Sequence, residues 1–105
     1  MSYGKMVSLG SLAVLCMALT CLGQGTGTIR YEVWEGIGGT AVADLTGNAN
    51  FPENPDWDDE LALFESPTDM ADNFGGRLYG WLHPEETADY TFWLAADDGA
   101  EVWLS

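Results

Sequence analysis

Between Arg77 and Leu104 the chain breaks into three short, aromatic-rich runs, residues 77–83, 90–95 and 101–104, each alternating in polarity. A two-residue period puts successive side chains on opposite faces of a strand. Turn-forming residues separate the runs: Pro84 to Asp89 in the first gap, Asp97-Asp98-Gly99 in the second. Three aromatic strands joined by short turns predict a meander, and with it an all-β fold of the antiparallel sandwich or barrel kind. Residues 28–34 add an earlier alternating run, with Ile29, Tyr31 and Val33 on one face. Residues 41–45 read as a short strand or edge segment. Residues 58–64 fit either a helical turn capped by Asp58 or a strand ending at Phe64. The stretches between, 46–57 and 66–76, are loops rich in Asn, Asp, Pro and Gly.

The last run is followed only by Ser105, with no turn after it. Roughly four to six strands are countable, at the low end for a closed architecture. A two-sheet fold needs both apolar faces covered. The expectation is therefore a β domain incomplete at its C-terminus, with an aromatic-rich edge at risk of aggregation.

Charge narrows the partners. Three basic residues stand against seventeen acidic ones, a formal net charge of −14. Phosphate neutralisation needs clusters of Lys and Arg, so nucleic acid is excluded as a partner, and anionic membrane surfaces are disfavoured. The balance suits solubility and cation binding.

The first residues have the layout of a secretory signal peptide. Lys5 supplies positive charge, residues 7–22 are an apolar run, and small residues follow at Gly23 and Gly25. The run is too short for a membrane span, so no span is expected after its removal. The division is a leader over residues 1–25, cleaved after Gly23 or Gly25, and a β domain over residues 26–105. Cys21 offers an alternative lipid-attachment site, but Thr20 before it is larger than the usual Gly or Ala. Both cysteines, Cys16 and Cys21, fall in the leader, so the secreted chain has neither disulfide nor thiolate metal chemistry. Arg30 and Arg77 are then its only basic side chains against all seventeen acids.

Three blocks carry a family resemblance. They are Asp72-Asn73-Phe74-Gly75-Gly76-Arg77-Leu78-Tyr79-Gly80-Trp81-Leu82, then Pro84 with Asp89-Tyr90-Thr91-Phe92-Trp93-Leu94, then Asp97-Asp98-Gly99-Ala100-Glu101-Val102-Trp103-Leu104-Ser105. Together they resemble the protective-antigen fourteen-kilodalton domain family, found in anthrax protective antigen, yeast flocculin adhesins and many bacterial glycosidases. Upstream, residues 29–34, Asp44-Leu45-Thr46, Phe51-Pro52 with Pro55-Asp56, and Phe64-Glu65-Ser66-Pro67 look similar to its bacterial extracellular branch. The resemblance implies a β-barrel-like module longer than residues 26–105. It implies that Asp97 and Asp98 match the adjacent aspartates that, in the adhesin branch, are joined by a cis peptide and bind calcium. There the ion also meets sugar hydroxyls and an asparagine from a later loop, which would fall after Ser105.

The residues themselves leave two readings of the aspartate pair. Carboxylate oxygens at a rigid turn suit a hard cation such as calcium. Asp and Gly also favour turns with no ligand at all. Trp81, Trp93 and Trp103 fit a sugar-stacking platform or, by preference, core packing between sheets. Trp57, in an acidic loop, is the better candidate for an exposed aromatic at a ligand site. His83 reads as a strand-end residue, and Arg77 as the structural partner of a nearby carboxylate. Asp56, Asp58, Asp59 and Glu60 lack the spacing of an EF-hand loop. No serine has an activating neighbourhood, and paired acids are expected by chance among so many. The expected function is a secreted, non-catalytic carbohydrate-binding module, assisted by Ca2+ at Asp97 and Asp98, attaching a larger extracellular protein to glycans or cell-surface polysaccharide. The alternatives are a structural or protein-interaction module without ligand, or an accessory domain of a glycoside hydrolase.

Overall fold

The computed structural model describes residues 27–105 and the backbone of Lys5–Met6. The rest of the expected leader, with Cys16 and Cys21, lies outside the described residues. The fold is all-β. Its centre is an antiparallel three-stranded sheet, with β2 (Ile29–Glu35) between β3 (Trp57–Leu61) and β4 (Phe74–Tyr79). The two-residue strands β1 (Lys5–Met6) and β5 (Val102–Trp103) extend it in parallel beyond β4, giving the order β3-β2-β4-β1-β5. Among the described residues the sheet is open, with β3 and β5 as its edges.

Strand β2 is the most buried element, and it is covered on both faces. Tyr31, Glu32, Val33 and Trp34 are all buried. Tyr31 and Val33 point to one face, where they pack with Phe74 and Leu78 and are flanked by Ile29, Trp57, Leu61 and Met70. Trp34 faces the other way and joins Ile37 and Leu45, with Val42 and Phe51 against them. Its indole meets Phe51 at 4.9 Å between ring centroids and donates to the Asn50 carbonyl at 3.1 Å.

That second face also holds Glu32, which sits opposite Arg77 in the β2–β4 register. Arg77 donates to Glu32 Oε2 from both Nε, at 3.0 Å, and Nη2. The Tyr79 hydroxyl donates to Glu32 Oε1 at 3.1 Å. Burial and this bond to Glu32 push the Tyr79 hydroxyl above its usual pKa. The Arg77 guanidinium lies over three rings, 4.7 Å from the centroid of Tyr79, 5.3 Å from Phe51 and 5.7 Å from Trp34. On the open flank Arg30 pairs with Asp58 and, at 3.6 Å, with Glu60. Pairs this exposed add little to stability.

The Gly75-Gly76 pair lets both faces close on β4. A Cβ at position 75 would stand 2.7 Å from Leu45 Cδ1, and one at position 76 would stand 2.8 Å from the Tyr31 ring. Neither contact leaves room for a methyl group.

Two expectations change. Residues 41–45 are not a strand: α1 (Val42–Thr46) is a five-residue helix. Its first turn is tied by Ala41 N–H donating to the Asp44 carboxylate at 2.9 Å, half of a capping box. Leu45 is its buried residue and the reason it holds to the sheet. The expected meander is also reduced: residues 82–101 contain no strand. The open alternative at 58–64 resolves to strand only in part: β3 ends at Leu61, and residues 62–64 lie outside it.

Tyr31 carries one unusual cost. Its side chain is fully buried, and its hydroxyl has no hydrogen-bond partner among the described residues. An unsatisfied buried polar group costs about 1–3 kcal/mol, so Tyr31→Phe is expected to stabilise the chain by about 1 kcal/mol at neutral pH. Burial pushes the hydroxyl pKa from 10.0 up to about 12. The folded state thus keeps the proton after the unfolded state has lost it. This alkaline penalty is absent below pH 10 and grows as pH rises towards 12. Urea titrations at neutral and alkaline pH check both parts, since Tyr31→Phe removes this portion of the alkaline loss.

Candidate functional site

Asp97 and Asp98 are exposed on a bend after the irregular stretch 82–96. The peptide bond between them is cis. The loop is anchored immediately afterwards. Gly99 N–H donates to the Thr40 carbonyl at 3.0 Å, and a Cβ at position 99 would lie 2.6 Å from that oxygen. Only glycine lets the two backbones meet so closely. The pair therefore projects from a point fixed against the entry to α1.

Asp97 also borders a cleft of about 700 Å³ whose opposite wall is the loop 65–72. That wall brings Glu65, Asp69 and Asp72, with Ser66 and Thr68, around the same space. Asp69, at φ 53°, and Asn73, at φ 54°, take the left-handed conformation that Asp and Asn tolerate best among residues with a Cβ. Phe74 and Met70 give the cleft an apolar floor.

Calcium takes six to eight oxygen ligands, so the donor type at Asp97 and Asp98 fits while two carboxylates fall short of a full shell. Among the described residues, no group of three or more His, Cys, Asp or Glu is arranged to hold a metal ion. Further oxygens at this pair would have to come from a ligand or another segment.

The remaining candidates divide. Trp57 is in strand β3 rather than a loop. It is half-buried, edge-on to Tyr31 at 5.7 Å between centroids, and donates to Glu35 at 3.2 Å. It covers the core, away from the aspartate pair. The tryptophans expected in the core are instead open to solvent: Trp81 is 54% exposed, Trp93 91% and Trp103 60%. His83 lies outside any strand, with Nε2 buried and unpartnered among the described residues. Arg77 holds the structural position expected of it, on Glu32.

Sequence reasoning missed two features. The loop 65–72 faces Asp97 across the cleft, and its turn residues gave no hint of that partner. The second is a smaller pocket of about 370 Å³ between α1, Arg77, Glu101 and Trp103. Nothing local in the sequence links residues 42–51 to residues 101–103. No helix among the described residues is long and apolar enough to cross a membrane.

No protein-family model matches the chain. No solved structure matches it either. Among curated proteins, it is similar to the mouse (Mus musculus) N-acetyl-beta-glucosaminyl-glycoprotein 4-beta-N-acetylgalactosaminyltransferase 1, with 36% identity over 80 residues. The match takes in 75% of this chain but spans only 8% of the length of that relative.

Proposed function

We propose that residues 26–105 are a secreted, non-catalytic glycan-binding β module of the protective-antigen type, with calcium at Asp97 and Asp98 assisting the contact. The observation that carries the reading is the similarity to a protein whose name describes action on glycoprotein sugars. The 80 matched residues have the length of a small domain. The site adds physical support. Two exposed carboxylates stand at an anchored turn beside a cleft that combines hydroxyls, carboxylates and an apolar floor. Such a mixture suits a neutral polyol. Calcium would bridge the carboxylate pair and sugar hydroxyls, whose neutral oxygens complete its ligand shell.

Titration calorimetry against a panel of neutral glycans, with calcium and with a chelator, tests this. The expected result is heat that requires calcium and falls at least tenfold in the double variant Asp97→Asn/Asp98→Asn. Full-strength binding by the double variant overturns the role of the aspartate pair, and no heat with any glycan or with calcium alone leaves a structural module instead.

A further inference from the structure

The pocket between α1 and β5 lies apart from the aspartate cleft and shares no lining residue with it. Its lining is largely apolar, with Val42 and Phe51 half-buried and Leu45 buried. Three groups at its rim have recognition chemistry. Trp103 contributes a largely exposed indole. Its Nε1–H is donated to Glu101 Oε2 at 3.1 Å, which fixes the ring and leaves Oε1 to accept from a ligand hydroxyl. Arg77 also lines the space. Its Nε and Nη2 serve Glu32, and Nη1 is the nitrogen outside that pair.

We infer that this pocket is a second sugar subsite, selective for an N-acetylhexosamine. The C–H face of a pyranose ring stacks on Trp103 as an apolar surface does on any indole. Glu101 accepts a ring hydroxyl. The acetamido methyl goes to Val42 and Phe51, and its carbonyl accepts from Arg77. A volume of about 370 Å³ is at the lower end for small-ligand sites, room for one substituted ring and little more. The net charge of −14, with Glu101 at the rim, argues against sugars bearing a carboxylate. The inference rests on the glycan reading above but not on its calcium, because no aspartate of the pair lines this pocket.

The test is a titration of the full chain with the methyl glycoside of N-acetylglucosamine, followed through the five indole N–H signals by NMR. Trp103→Phe identifies the signal of Trp103. The expected result is a saturable shift of that signal, unchanged by chelator and retained in Asp97→Asn/Asp98→Asn. Methyl glucoside is expected to bind at least tenfold more weakly, and Trp103→Ala to lose binding while the remaining spectrum stays that of the folded chain. No movement of the Trp103 signal, or equal affinity for methyl glucoside, overturns the subsite. If binding exists but vanishes with chelator, the sugar sits at the aspartate pair, so the calcium reading stands and this one fails. Chelator-resistant shifts at Trp103, without calcium-dependent heat elsewhere, uphold the subsite and overturn the calcium reading.

Discussion

Arg77→Met unfolds the chain more readily by about 3–5 kcal/mol, because it strands a buried carboxylate. Glu32 is 7% exposed and receives Nε and Nη2 of Arg77 and the Tyr79 hydroxyl. Methionine keeps much of the side-chain volume over Trp34 and Phe51 but offers no donor. A domain of this length has a total stability of only about 4–12 kcal/mol at 0.05–0.15 kcal/mol per residue, so most of it is at stake. Urea denaturation followed by tryptophan fluorescence gives the measurement. The companion Glu32→Leu/Arg77→Met removes charge from both sides and is expected to recover at least half of the loss. If Arg77→Met costs under about 1 kcal/mol, the pair is behaving as a solvent-exposed one.

Trp34→Ala is the second large effect, also about 3–5 kcal/mol, through loss of transfer free energy and the cavity left behind. Trp34 is 1% exposed and fills the space between β2, Ile37, Leu45 and Phe51. Its loss removes the indole donor from the Asn50 carbonyl, which keeps only the Asn54 N–H, and takes one of three rings from the Arg77 guanidinium. The two substitutions share these contacts, so the double variant Arg77→Met/Trp34→Ala is expected to lose less than the sum of the singles. The same urea titrations show this. Strict additivity would mean that the guanidinium and the indole are energetically independent.

The sequence disclosed strands where alternation coincided with a buried neighbour on each side. Ile29–Glu35 alternates and lies between two partners, so pattern and structure agree. Its second face was harder to read. Glu32 looks like a solvent-facing residue until Arg77, forty-five positions on, is placed opposite it. Helix α1 was illegible because Ala41 has no capping side chain and five residues cannot sustain a helix alone. It exists because Leu45 finds the bare backbone of Gly75. Residues 90–95 show the converse. Their alternation is clear, but a period of two specifies faces and not a hydrogen-bonding neighbour, and among the described residues this run joins no ladder. The aspartate pair could be located at its turn from sequence. The loop 65–72 across from it and the Trp103 pocket could not, since each depends on contacts between distant segments.

The outer flank of β3 carries three consecutive acids. Its sequence is Trp57-Asp58-Asp59-Glu60-Leu61, and among the described residues no strand pairs with its outer side, where Glu60 N–H donates to the Asp59 carboxylate. Were two copies to join there antiparallel about a two-fold axis through Asp59, Asp59 would stand opposite its own image and each Asp58 opposite a Glu60. Like charges set directly across a ladder repel, which disfavours that register. Arg30 is already engaged with Asp58 and Glu60 on its own sheet and is poorly placed to neutralise a second set. The acids of this strand act as a fence, keeping the open flank of one chain from becoming the template for the next.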